Sequence, residues 1–159
     1  MKICILLPYK ENFSPEYPGA VSLFINDTSR VSRYKKNIKV YGSTNYKKKF
    51  NVSYQNIDLK KKILGSQSKT YISKFIQFEK KEPSDLIEVH NRPNYLKYLS
   101  KSLNRRNYAL FFHNDPLSME GSESVADRNF LLDKCHRIFF NSKWSKNRFL
   151  ENLDTIYIN

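Results

Sequence analysis

Three polar clusters sit directly behind apolar runs: His90-Asn91-Arg92-Pro93 behind DLIEV, His113-Asn114-Asp115-Pro116 behind YALFF, and Asn141-Ser142 behind RIFF. In an open parallel sheet the strand ends along one rim carry the ligand-handling groups, so recurrent polar tips on buried-type strands predict a binding or catalytic half-cleft. An imidazole at such a tip exchanges a proton near neutral pH and reaches a ligand from a desolvated position. His113 is therefore either that group or a structural histidine bonded to a neighbouring loop, and His90 carries the same two readings. Arg92 beside it is suited to a phosphate or carboxylate.

Other positions carry weaker chemistry. Gly19-Ala20, in the loop behind the first apolar run, either lets a ligand approach backbone N–H groups at a helix start or is an ordinary turn. Arg128 either reaches the same rim or is a surface helix arginine, and Trp144 reads as core or interface packing. His90, His113, Asp115 and Asp127 lack the short ligand spacings of a zinc site, so no metal is expected. A GxSxG elbow, a P-loop and a GxGxxG fingerprint are all absent from the sequence, which removes the usual support for serine-hydrolase, ATPase and dinucleotide-binding readings.

The elements that must position these groups follow from apolar periodicity. KICILL at 2–7, IKVYG at 38–42, DLIEV at 85–89, YALFF at 108–112, RIFF at 137–140 and TIYI at 155–158 read as strands, with a further candidate at FNVSY. Helices are expected over AVSLFINDTSRVSRY, over 66–81 with Tyr71, Ile72, Phe75, Ile76 and Phe78 at helical spacing, from about Pro93, over 122–135, and over SKWSKNRFLENL capped by Ser142. A Ser-x-x-Asp cap signature marks the fourth of these. Alternation of strands and helices gives an α/β fold: a Rossmann-like three-layer sandwich with a mainly parallel sheet.

At 159 residues the expectation is a single domain over 1–159, with an aromatic content of 14% implying a core rich in Tyr and Phe. The chain ends just behind its last expected strand, which reads as a truncation before a second domain. Cys4 and Cys135 are expected to be free thiols of a reduced, cytoplasmic protein. No stretch approaches a signal-peptide core or a membrane span. A net charge of +13 points to an anionic partner: nucleic acid, an acidic membrane surface, or an acidic or phosphorylated glycan.

LLPYKENFSPEYPGAVSLFIND, EVHNRPNYLKYL, LFFHNDPLSMEGS and FFNSKWSKNRFL, in that order and spacing, together resemble the N-terminal, acceptor-side domain of GT-B glycosyltransferases of the GT4 kind, especially bacterial lipopolysaccharide or capsule sugar transferases. The resemblance covers nearly the whole chain. It implies transfer of a sugar from a nucleotide sugar to a glycan or lipid-linked acceptor, with no metal or other cofactor and with the donor pocket in a C-terminal domain that these residues do not include, so that the chain is inactive alone.

By the same resemblance, His113 is the catalytic histidine. His90 likewise contacts sugar or acceptor, Arg128, Asn141 and Ser142 match family positions on the same cleft, and Gly19 and Ala20 lie near the donor phosphates. From their place in the same strand-tip clusters, Asn91, Arg92, Asn114 and Asp115 are expected to complete the sugar- or acceptor-binding set. One glycine stands here in place of a Gly-Gly pair. The basic surface would hold such a domain at the inner face of a membrane. The alternatives are a stand-alone carbohydrate-binding or regulatory domain and a nucleic-acid-binding module. The second of these lacks any RNA-binding motif interleaved with its aromatics, and no specific nucleic acid is expected.

Overall fold

The computed structural model describes residues 1–59, 66–103 and 107–153. Six strands, β1 (Ile3–Leu6), β2 (Ile38–Gly42), β3 (Tyr54–Asn56), β4 (Leu86–His90), β5 (Asn107–Phe112) and β6 (Arg137–Phe140), form one parallel sheet in the order β3-β2-β1-β4-β5-β6. That is the strand order of the doubly wound dinucleotide-binding folds. Five α-helices flank it among the described residues: α1 (Ala20–Val31), α2 (Gln67–Lys81), α3 (Tyr95–Ser102), α4 (Val125–Lys134) and α5 (Lys143–Leu150). The expected α/β, Rossmann-like class is the one observed, and the expected strand at 155–158 lies outside the described residues.

The chain divides into two compact units, Met1–Ile87 and Glu88–Asn159. In the first, all four residues of β1 are buried. Ile3, Ile5 and Leu7 pack with Phe13, Val21 and Ile25, and with Ile38 and Val40 of β2. Register runs Ile3 to Ile38 through Leu6 to Tyr41. Tyr71 of α2 is fully buried, and its hydroxyl donates to the carbonyls of Leu7 (2.9 Å) and Tyr41 (3.3 Å), satisfying its polar end inside the core. The FNVSY segment supplies a strand only from Tyr54, while Phe50 and Val52 pack as partly buried side chains against the core. Phe13 stacks on Tyr54 at 5.3 Å.

In the second unit α3 buries Tyr95, Leu96 and Leu99 on one face, and Phe112 and Phe140 at the ends of β5 and β6 pack on Phe149 of α5. Helix starts are set by side chains. Ser124 accepts from Asp127 N at 3.0 Å and Ser142 accepts from Ser145 N at 3.0 Å, each satisfying an otherwise orphaned first-turn donor. α4 therefore begins at Val125, three residues later than the apolar pattern suggests. Both cysteines are free, and among the described residues no helix is long and apolar enough to cross a membrane.

Candidate functional site at the strand tips

β4 delivers His90 into a fully buried position, its ring stacked on Phe111 of β5 at 4.5 Å. The next residue, Asn91, has φ +51°, a left-handed conformation that asparagine adopts more readily than most residues. That turn lets Asn91 clamp β5. Its backbone N–H donates to Phe111 O at 2.9 Å, and its Oδ1 accepts from His113 N at 2.7 Å. From β6, Asn141 Nδ2 donates to His113 O at 2.7 Å. Two carboxamides thus hold the His113 backbone from either side.

The two imidazoles meet directly, His90 Nδ1 lying 2.9 Å from His113 Nε2. Such a contact needs one donor and one acceptor, so at least one ring is neutral. Burial first, and then the neighbouring His90, push the His113 pKa down to about 4, making His113 neutral at physiological pH. Glu88, two residues back on the same strand, places Oε2 3.6 Å from His90 Nε2. A carboxylate on that side favours the His90 tautomer protonated at Nε2. His90 Nδ1 then accepts from His113 Nε2–H, and the His113 lone pair lies on Nδ1. Glu88 carried no signal in the sequence beyond its place at i−2 on a strand.

The structure brings His90, Asn91, His113 and Asn141 together, and it uses the remaining polar-tip residues differently. Arg92 is exposed and donates to Asn91 O at 2.7 Å. Asn114 is exposed. Asp115 caps a 3₁₀ turn over Pro116–Ser118 through Leu117 N at 3.1 Å, and its other oxygen lies 3.4 Å from Arg148. Ser142 serves as the α5 cap.

Arg128 is not a surface residue. It is 2% exposed and donates to the carbonyls of Ser122, Glu123 and Glu151, tying the loop before α4 to the end of α5. Trp144 is not core packing. It is 58% exposed, with the Arg148 guanidinium 5.9 Å from its ring centroid.

In the first unit Gly19 is the N-cap of α1 in extended backbone, with Ala20 the first helical residue. An anion does sit at that helix start, and it belongs to the chain: Glu11 Oε1 accepts from Ser22 N at 3.0 Å. A Cβ on Gly19 would lie 1.9 Å from the same oxygen, so the close approach of this carboxylate requires glycine. A donor phosphate at this helix start would have to displace Glu11.

Sheet order, parallel strands and polar carboxyl-terminal strand ends define a Rossmann-like α/β domain of the kind that handles ligands at its strand tips. No protein-family model matches the sequence, and no curated protein matches it. Among solved structures it is similar to Anabaena Alr3699/HepE. The complex of that protein with UDP gives a TM-score of 0.58 at 16% identity, and the complex with UDP and glucose gives 0.62 at 18%. Each superposition covers 94% of this chain and 40% of the other, so the chain spans 40% of the length of these neighbours. At such identities the likeness shows a shared fold.

Proposed function

We propose that this chain is the acceptor-side domain of a glycosyltransferase of the GT4 kind, which moves a sugar from a nucleotide sugar to a glycan or lipid-linked acceptor of lipopolysaccharide or capsule type. Under this reading 1–159 is one domain of a GT-B enzyme, a further domain binds the donor nucleotide, and the chain alone is inactive. The observation that carries the reading is the direct His90–His113 contact at the tips of β4 and β5, with the His113 backbone held by Asn91 and Asn141. The fold shared with a protein crystallised with UDP and glucose supports it.

In the mechanism, His113 presents its imidazole to a substrate hydroxyl. With a pKa near 4 it is a hydrogen-bonding and orienting group at neutral pH and only a weak general base. His90 and Glu88 fix its tautomer, and Asn91 and Asn141 fix its backbone. Asn114, Asp115, Arg92 and Ser142 complete the sugar- or acceptor-facing set, Arg128 acts by holding the loop before α4, and Gly19 and Ala20 approach the donor phosphates once Glu11 is displaced. A cytoplasmic enzyme with this basic surface would work at the inner face of an anionic membrane.

The test is turnover of a panel of nucleotide sugars by the full-length protein and its His113→Ala variant. Transfer by the parent is expected, and in the variant a loss of about 10²-fold or more in kcat, far larger than its loss of folding stability. Absence of transfer from every donor, together with glycan binding, would make the chain a carbohydrate-binding domain instead.

A further inference from the structure

The first unit contains a polar cavity of about 470 Å³, within the size range of small-molecule sites. Its walls come from the segments that follow the first three strands: Tyr9 and Lys10 after β1, Ser43 and Asn45 after β2, Asn56 at the end of β3, and Gln67 at the start of α2. Carboxamides dominate this wall. A carboxamide carries donors and an acceptor side by side, and those not taken up within the protein are the partners a sugar hydroxyl needs, because it too gives and takes a hydrogen bond. Among the described lining residues one ammonium, Lys10, is matched by one carboxylate, Asp58, so that set is formally neutral. An anion site would carry an excess of cations or a nest of N–H groups.

Four further observations mark the cavity as a built site. Asn56 is fixed before any ligand arrives, since its Oδ1 accepts from Thr44 N at 3.2 Å and Tyr54 OH at 3.1 Å while its Nδ2 donates to Asp58. Gln67 is likewise held, accepting from the Tyr9 hydroxyl, and the Tyr9 ring is braced on Tyr71 at 5.6 Å. The Ser43 hydroxyl is buried with no hydrogen-bond partner among the described residues, which leaves a polar group in the lining unsatisfied. Lys10 adopts φ +69°, uncommon for a side chain of its kind, and such outliers gather where a ligand is handled.

We propose that this cavity is a binding site for a neutral, hydroxyl-rich carbohydrate ring, recognised by the carboxamides of Asn45, Asn56 and Gln67. The assignment concerns binding in the first unit and does not depend on the transfer reaction.

The test is an amide-resolved NMR titration of the chain with methyl α-D-glucopyranoside, methyl β-D-galactopyranoside and N-acetylglucosamine, beside glucose 6-phosphate and UDP. At least one neutral sugar is expected to give saturable shifts at Ser43, Asn45 and Asn56 with a dissociation constant of about 1–10 mM. Asn45→Ala, at an exposed side chain, and separately Gln67→Leu are each expected to weaken binding about fivefold while leaving distant amides unmoved. The proposal is overturned if no neutral sugar saturates these amides up to about 100 mM. It is equally overturned if binding survives both substitutions, or if glucose 6-phosphate binds the same amides more tightly than the glycosides do. Neutral-sugar binding here with no nucleotide-sugar turnover by the full-length protein would keep this site and remove the transfer reading. Turnover without such binding would do the reverse.

Discussion

At the scale of single residues, His113 gains its character from two neighbours and from burial. The unfolded chain takes up a proton on this ring near pH 6.5 and the folded chain only near pH 4. The unfolded state therefore binds more protons between those values, so stability is full above pH 6.5 and falls as pH is lowered through the window. Urea midpoints measured at pH 7 and pH 5 should differ in that direction, and His113→Asn should reduce the difference. Long-range ¹H–¹⁵N spectra should show His113 as the Nε2–H tautomer at pH 7, with the preference weakened in Glu88→Gln, because a carboxylate 3.6 Å from His90 Nε2 favours a proton there and leaves His90 Nδ1 to accept from His113.

At the scale of elements, loops are pinned by close backbone approaches and by one buried cation. Gly121 has φ +93°, and a Cβ there would lie 2.6 Å from the backbone nitrogen of Asn94, which cannot give way. Gly121→Ala should therefore cost about 2 kcal/mol or more in chemical denaturation. Gly19→Ala meets only the flexible Glu11 carboxylate and should cost about 1 kcal/mol, the worth of a lost helix-start contact. Arg128→Met removes three bonds to carbonyls from a buried guanidinium and should cost about 2–4 kcal/mol by the same measurement, with the loop before α4 exchanging its amide hydrogens faster.

At the scale of the whole molecule, 28 Lys and Arg against 15 Asp and Glu leave +13, and among the described residues carboxylates pair with Lys2, Lys39, Lys97, Lys134 and Arg148. Lys2 and Lys39 share Glu82, and Lys97 pairs with Asp127. The remaining field is long-ranged and screened by salt. Co-sedimentation with phosphatidylglycerol vesicles at low ionic strength, lost at about 0.5 M salt and absent with phosphatidylcholine vesicles, is the expected result for a domain held at an anionic membrane. Equal sedimentation with both lipids would count against it.

What the sequence determined by itself is what depends on near neighbours along the chain. Apolar runs bounded by Pro, Gly and polar tips located five of the six strands among the described residues, and the caps at Ser124 and Ser142 are read within three residues of themselves. The tips behind DLIEV, YALFF and RIFF were legible as a cluster because alternation of strand and helix forces parallel strands to end on a common side. Which tips touch was decided by tertiary structure. The His90–His113 contact, the Asn91 and Asn141 clamps and the Arg128 bond to Glu151 join residues 22 to 28 apart in sequence. They depend on the order of strands in the sheet, which no local pattern encodes. Trp144 stands exposed for the same reason: burial is a property of what packs opposite a residue, and the sequence around it carries only its size and hydrophobicity.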